Sequence, residues 1–321
     1  MDPVHPPASS PRKERRILIA LCGVTGAGKT TFVAKASGRK DLKIGYDVDP
    51  CTQEPQMVEF KLECKKDDND PSDEREIVLI DTPGFDDDTR SDVEILELIA
   101  AWMAKRDMMK EQLLDGLIFL HPITHNRVGG SEWNRTRLLE KILGRHAYKR
   151  VIIATTMWDD LSNPEAAEKR VEGRTRAGGV WYEMKSKGAQ VLKHKNNAQS
   201  AHSIIRNIVY KADKYGKMEP LLHTELKKYK GRVVRTSAGK ELRRQLEEAI
   251  DQIRKDLDAL EENCPKVDED TSKRANPEYV AWRKEVRELE KRLHLKEQQL
   301  KRLNGLTVRI IKRLLSTLFG M

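Results

Sequence analysis

Two regimes of hydrophobic patterning divide the chain. Between residues 17 and 215, short apolar runs alternate with longer stretches of helical period. The run at 17–24 (ILIALCGV) has no polar face, which is the pattern of a strand buried on both sides. Runs at 76–80 (EIVLI), 117–120 and 151–154 predict further buried strands, and 191–194 predicts a weaker one. Val58, Phe60, Leu62 and Cys64 instead alternate with Glu59, Lys61 and Glu63. That period of two marks a half-exposed strand. A polar loop over 65–73 joins it to the run at 76–80, so the two strands predict a hairpin and one antiparallel pair. Helices are predicted at 29–37, 91–109, 131–143, 164–187 and 198–214. Strand alternating with helix predicts an α/β fold of three layers, its sheet mostly parallel with one antiparallel strand.

After residue 216 the period changes. Leu246, Ile250, Ile253, Leu257 and Leu260 step by four and three. Cys264 and Pro265 interrupt, and the pattern resumes at Tyr279, Trp282, Val286, Leu289, Leu293, Lys296, Leu300 and Leu303. These are a/d seams. Each is short, which predicts an antiparallel helical hairpin or coiled coil as a packing element. The expected organisation is a disordered tail at 1–16, an α/β domain at 17–215, and a charged helical extension at 216–321.

Composition sharpens this picture in three ways. Charged residues make up 35% of the 321 residues and apolar ones 38%, against about 25% charged in an ordinary domain; the excess belongs to solvated helix faces. Lys and Arg number 60 against 51 Asp and Glu, a net charge of +9. Basic and acidic side chains nevertheless alternate, as at 283–292 (RKEVRELEKR), without interleaved aromatics. That is a solvated face rather than a nucleic-acid surface. The four cysteines form no CxxC pair, which excludes a disulfide scaffold and predicts a reducing, cytoplasmic setting. No apolar run approaches the roughly 18–20 residues of a membrane span, and the Pro-, Ser- and Arg-rich start lacks a secretory pattern.

The chemistry concentrates in three short segments. Residues 23–30 (GVTGAGKT) fit GxxxxGK[ST] directly after a buried strand and before a helix, the context that motif requires. Gly23, Gly26 and Gly28 free the backbone amides of Thr25, Ala27, Lys29, Thr30 and Thr31 to converge on phosphate oxygens. The Lys29 ammonium would reach the outer phosphates and the Thr30 hydroxyl would ligate Mg²⁺. Residues 81–84 (DTPG) follow at the end of another strand. Asp81 is a second metal ligand by position, and Gly84 offers an amide to a terminal phosphate. Asp86, Asp87 and Asp88 read as solvated loop charge rather than as a metal cluster. Residues 155–159 (TTMWD) also end a strand. Thr156 and Asp159 match the spacing of Asn/Thr-Lys-x-Asp, whose carboxylate accepts from guanine N1–H and the exocyclic amine. Adenine offers neither hydrogen. Met157 replaces the lysine whose stem lies along the base, and either Met157 or Trp158 is expected to supply that apolar face. Asp160 is a fallback acceptor. Asn196 and Asn197 fall where a further base-contacting loop is expected, with a plain turn before a helix as the alternative.

Together these segments resemble the translation-factor class of P-loop GTPases. Within it they are most similar to the septin and paraseptin branch, which includes avirulence-induced, immunity-associated and chloroplast translocon GTPases and related fungal G-domain proteins. The run 120–127 (LHPITHNR) falls where that branch carries an extra motif. The resemblance spans about 17–215 and implies binding of GTP and GDP with Mg²⁺, GTP hydrolysis, and homodimerisation of G domains across the nucleotide face. It places a switch threonine before the second strand, for which Thr52 is the candidate ligand. Two functional readings remain open: a slow GTPase switch, and an assembly scaffold holding nucleotide as a structural ligand. An ATP-preferring enzyme is a variant of the first. Residues 306–319 place eight apolar side chains on one helical arc with Arg309, Lys312 and Arg313 opposite. Such a helix either docks internally or binds a partner groove or a membrane surface peripherally.

Overall fold

The computed structural model describes residues 16–39, 56–64, 73–82, 90–109, 113–124, 128–161, 163–265 and 276–307. Thr52, Gly84, Phe85, the three aspartates that follow it, residues 125–127, the tail at 1–15 and the segment 308–319 lie outside them. The elements run β1 (Ile17–Gly23), α1 (Lys29–Ser37), β2 (Gln56–Glu63), β3 (Glu74–Asp81), α2 (Asp92–Met108), β4 (Gly116–Pro122), α3 (Gly130–Leu143), β5 (Val151–Thr156), α4 (Pro164–Thr175), α5 (Tyr182–Ser186), β6 (Gln190–Lys193), α6 (Ala198–Tyr215), α7 (Leu221–Lys228), α8 (Ser237–Glu262) and α9 (Pro277–Gly305).

The strands form one six-stranded sheet in the order β2-β3-β1-β4-β5-β6. Only β2 runs antiparallel, paired with β3 from Gln56–Asp81 to Glu63–Glu74. The hairpin and the single antiparallel pair are thus as the patterning predicts. Every residue of β1, β4 and β5 is buried. Ile17, Ile19, Leu21, Ile77, Leu79, Ile118, Leu120, Ile152 and Ala154 line one face, where α1 and α6 cover them. The residues between them, such as Leu18, Ala20, Val78, Phe119 and Ile153, are buried on the other face. Burial on both sides is why these strands read as continuous apolar runs. Helix α6 supplies its stripe at Ala201, Ile204, Ile205, Ile208, Val209 and Ala212, a helical period. Gly216 ends it at a positive φ of 73°.

One expected helix is two. The stretch 164–187 breaks after Thr175 into α4 and α5. Gly178 has φ 79°, and a Cβ on Gly179 would lie 2.4 Å from Arg174 O. The turn they make lets Trp181 N donate to Arg174 O and buries the Trp181 side chain completely. The Arg174 guanidinium sits 5.6 Å from the Trp181 ring centre.

The chain packs as two compact units. One holds the sheet with α1, α4, α5 and α6. The other holds α3, α7, α8 and α9, together with Arg90–Lys105, which is most of α2. The division is therefore not a single cut near residue 215. Helix α3 packs on α7 and α8. Arg302 near the end of α9 donates to Glu97 at 2.8 and 3.0 Å and to Glu94 at 2.5 Å, which fixes the first turns of α2 in this unit. Helices α8 and α9 lie along one another in opposite directions: Trp282 Nε1 donates to Leu260 O, and Arg254 pairs with Glu297 at 2.8 Å. Leu246, Ile250, Ile253, Leu289 and Leu303 are the buried seam positions.

Ile205 is fully buried and Leu295 is 52% exposed. Ile205→Ala is expected to lower stability by about 2–5 kcal/mol through the cavity it leaves. Leu295→Ala is expected to stay within about 0.5 kcal/mol. Chemical denaturation of both variants checks the assignment of the core.

Candidate functional site

A parallel sheet sends its strands' carboxyl ends to one edge, and the order β3-β1-β4 reverses the direction of winding at β1. Ligands bind outside such a switch point. The ends of β1, β3, β5 and β6 bring Gly23, Asp81, Thr156 and His194 to that edge.

The loop after β1 is built around two conformational demands. Gly26 and Gly28 have φ of 77° and 89°, where a side chain is strained. Gly23 faces Leu120 across the sheet, and a Cβ there would lie 2.4 Å from Leu120 O. Helix α1 starts at Gly28 with no side-chain cap, whereas α4, α6, α8 and α9 are capped by Asn163, Asn197, Thr236 and Asn276. Its first amides and positive dipole end are therefore left for an anion. The Lys29 ammonium donates to Gly23 O at 3.2 Å and Val24 O at 3.0 Å. Both carbonyls belong to the loop, so the charge is held over the cradle. Thr25 and Gly26 are exposed, Ala27 is buried, and Thr30 and Thr31 are half-buried.

Thr30 Oγ1 donates to Asp81 Oδ2 at 3.2 Å. Asp81 Oδ1 is buried and has no hydrogen-bond partner. Burial raises the pKa of Asp81, opposed by the Lys29 charge and the Thr30 hydrogen bond. A hydroxyl and a carboxylate with a vacant buried oxygen fit a hard divalent cation, which takes oxygen ligands. Among the described residues no group of three or more His, Cys, Asp or Glu is placed to hold a metal.

In the base-side segment the two candidates for the apolar face differ in burial. Trp158 is 7% exposed, packed with Ile123 and Ala167. Its indole donates to Thr155 O and Thr155 Oγ1, both at 3.1 Å. Lys193 Nζ lies 3.7 Å from the ring centre. Trp158 is thus committed to the interior, and Met157, half-buried at φ 61°, is the remaining candidate for the apolar face. Thr156 Oγ1 donates to Ala27 O at 3.0 Å in a buried setting, so this side chain braces the phosphate loop. Asp159 and Asp160 are exposed in the following turn.

In the last loop Asn197 Oδ1 accepts from Ser200 N at 2.9 Å and caps α6. For Asn197 the turn-before-helix alternative describes that oxygen. Asn196 is exposed with φ 49°. The patterning singled out no role for His194, although it lies two residues before Asn196. The residue is 4% exposed, and its ring centre lies 5.0 Å from that of Phe32 in α1. Burial, with Lys35 nearby, depresses its pKa from 6.5 to about 4. A histidine that protonates more readily when unfolded favours the unfolded chain as pH falls. Its contribution is therefore expected to lower stability from pH 6.5 down to about 4 and to be complete below that. Thermal unfolding of wild type and His194→Phe across this range tests it: the variant should lose the His194 part of the acid slope.

Residues 18–157 match a family model described as 50S ribosome-binding GTPase. The match covers a little under half of the chain. No curated protein matches the chain closely in sequence. Among solved structures the chain is similar to Toc33 from Arabidopsis thaliana in complex with GDP and Mg²⁺, at 16% identity and a TM-score of 0.47, covering 63% of this chain and 86% of that one. It is also similar to Era from Aquifex aeolicus bound to GDP and aluminium fluoride, at 16% identity and a TM-score of 0.38, covering 62% of this chain and 56% of that one. The sheet, with its phosphate loop after β1 and one antiparallel strand beside β3, has the fold of a P-loop GTPase domain, and the family match runs through it from β1 to the turn after β5.

Proposed function

We propose that this chain binds GTP and GDP with Mg²⁺ and is a slow GTPase switch of the septin and paraseptin kind. The observation that carries the reading is the meeting of Thr30 and Asp81, with an orphaned carboxylate oxygen, beside an uncapped helix start and a glycine cradle. Amides of the loop and of the first turn of α1 hold phosphate oxygens, and Lys29 turns from the loop carbonyls to the outer phosphates. Thr30 and Asp81 hold the cation, which supplies neutralisation of charge on those oxygens. Thr156 keeps the loop in place from behind. Asp159 accepts from the guanine edge while Met157 lies along the ring. An adenine in the same place leaves the carboxylate unpaired.

In isolation the chain is a slow enzyme, because the residue after DTPG is Phe85, whose ring cannot orient a water. A second G domain facing the first is the proposed means of raising turnover. The setting is cytoplasmic; Leu306 is itself buried, and the rest of 306–319 is the proposed means of peripheral attachment to a membrane or to a partner.

Nucleotide binding by calorimetry in Mg²⁺ tests the core of this proposal. GTP and GDP are expected to bind and ATP to compete poorly; Asp159→Asn relaxes that preference and Lys29→Ala abolishes tight binding. Equal affinity for ATP and GTP in the intact protein would overturn the guanine assignment.

Single-turnover hydrolysis measured against protein concentration tests the rest. At low concentration about 10⁻⁴–10⁻² s⁻¹ is expected, rising as the protein is concentrated. A rate that stays flat, with nucleotide that never exchanges, would instead make the nucleotide a structural ligand of a scaffold.

A further inference from the structure

We infer that His194 is the positioning residue for the base-side loop of the nucleotide site, acting through Ser200. This rests on the guanine-binding reading and adds to it the residue that orders the loop around Asn196.

Three nucleotide-binding segments meet at this side chain. Its backbone N–H donates to Thr155 O at 2.9 Å, the carbonyl that also accepts from the Trp158 indole. It is thereby tied to the turn that carries Asp159. Its ring packs on Phe32, in the first turns of the helix that follows the phosphate loop. Its Nδ1 lies 2.9 Å from Ser200 Oγ.

The Ser200 hydroxyl is the hub. It accepts from Lys195 N at 3.0 Å and lies 3.1 Å from Asn197 O. A hydroxyl has one hydrogen to give. If it goes to Asn197 O, the His194 contact needs a hydrogen on Nδ1, and all three contacts are then made. In the other tautomer the hydroxyl must be spent on Nδ1, and the contact with Asn197 O is left without a hydrogen. The network therefore selects the Nδ1–H ring. The remaining nitrogen, Nε2, is then a buried acceptor without a partner. So one neutral ring fixes the backbone at Lys195 and Asn197, on either side of Asn196, and fixes that loop to both other segments.

The chemistry separates ring packing from hydrogen bonding. His194→Phe keeps an aromatic on Phe32 and removes Nδ1–H. His194→Asn keeps a donor near the Nδ1 position and removes the ring. Ser200→Ala removes the hub. Affinities for Mg²⁺-GTP, Mg²⁺-ATP and Mg²⁺-tripolyphosphate, with amide exchange over 195–200 in nucleotide-free protein, read the outcome. His194→Phe and Ser200→Ala are expected to weaken GTP about five- to tenfold, the equivalent of one hydrogen bond. Tripolyphosphate should bind as in wild type, and the exchange of 195–200 should quicken. His194→Asn should retain most of the preference for GTP over ATP. A His194→Phe protein with wild-type selectivity and exchange would overturn the inference. So would a loss shared equally by GTP and tripolyphosphate, which is the mark of packing alone. If wild type itself shows no preference for GTP, the guanine reading fails. Accelerated exchange of 195–200 in His194→Phe and Ser200→Ala would still support the positioning role, and its absence would sink that role as well.

Discussion

The parallel register of β1 with β3 and β4 is the constraint on which the site depends. Leu21 pairs with Asp81, and Gly23 pairs with Leu120. The first pairing sets Asp81 beside the phosphate loop, within reach of Thr30. The second brings β4 so near Gly23 that only a residue without a Cβ fits there. Side chains alternate between the two faces of a strand, so a slip of one residue would move the whole apolar set of β1 to the opposite face. Both faces are buried, and a slip by two would carry Asp81 away from Thr30. The core therefore holds the chemical register as a by-product of holding itself together.

Much of this was legible in advance because it depends on local chemistry. Glycines followed by Lys29 and Thr30 after an apolar run specify both a turn and the start of a helix. The alternation from Val58 to Cys64 specifies which strand has a polar face. What was not legible depends on contacts distant in the chain. Trp158 is one amide from Met157, and nothing local says which of the two turns inward. The decision is made by Thr155, Ile123, Ala167 and Lys193, which the fold gathers around the indole. His194 gave no signal because a lone histidine after a weak strand has no pattern. Its partner Ser200 lies six residues away across a turn that exists only because Asn197 caps α6. The break after Thr175 did leave a trace in Gly178-Gly179, which helical periodicity on either side obscured.

The same distinction applies to the charged helices. Their seams follow from the steps of three and four, and the buried seam residues are among those the steps single out. The assignment of Arg302 does not follow from any period. It lies on the polar side of α9, where solvation is the ordinary fate of a basic residue, yet it makes three hydrogen bonds to Glu94 and Glu97. Glu94 also accepts from Ser91 N and Ser91 Oγ at the start of α2, a capping arrangement that the sequence carries locally. A local cap and a distant guanidinium thus converge on one carboxylate and hold its pKa below the ordinary range against the effect of burial. This is how a segment from the middle of the chain comes to belong with helices near its end.

Several unsatisfied or strained groups lie at the carboxyl edge of the sheet. Asp81 keeps a buried oxygen without a partner, α1 begins without a cap, His194 carries a bare buried nitrogen, and Gly26, Gly28, Met157 and Asn196 all adopt positive φ. Each is unfavourable for the chain alone. They do not all have the same cause. The Asp81 oxygen and the open amides of α1 have opposite electrostatic demands, one for a cation and the other for an anion, and a metal-bound phosphate chain answers both at once. The nitrogen of His194 has no partner among the described residues and belongs to neither demand. It is instead the consequence of spending the other nitrogen on Ser200. Groups of the first kind mark where a ligand binds, and the second kind marks a side chain that has given up one interaction to hold a loop in place.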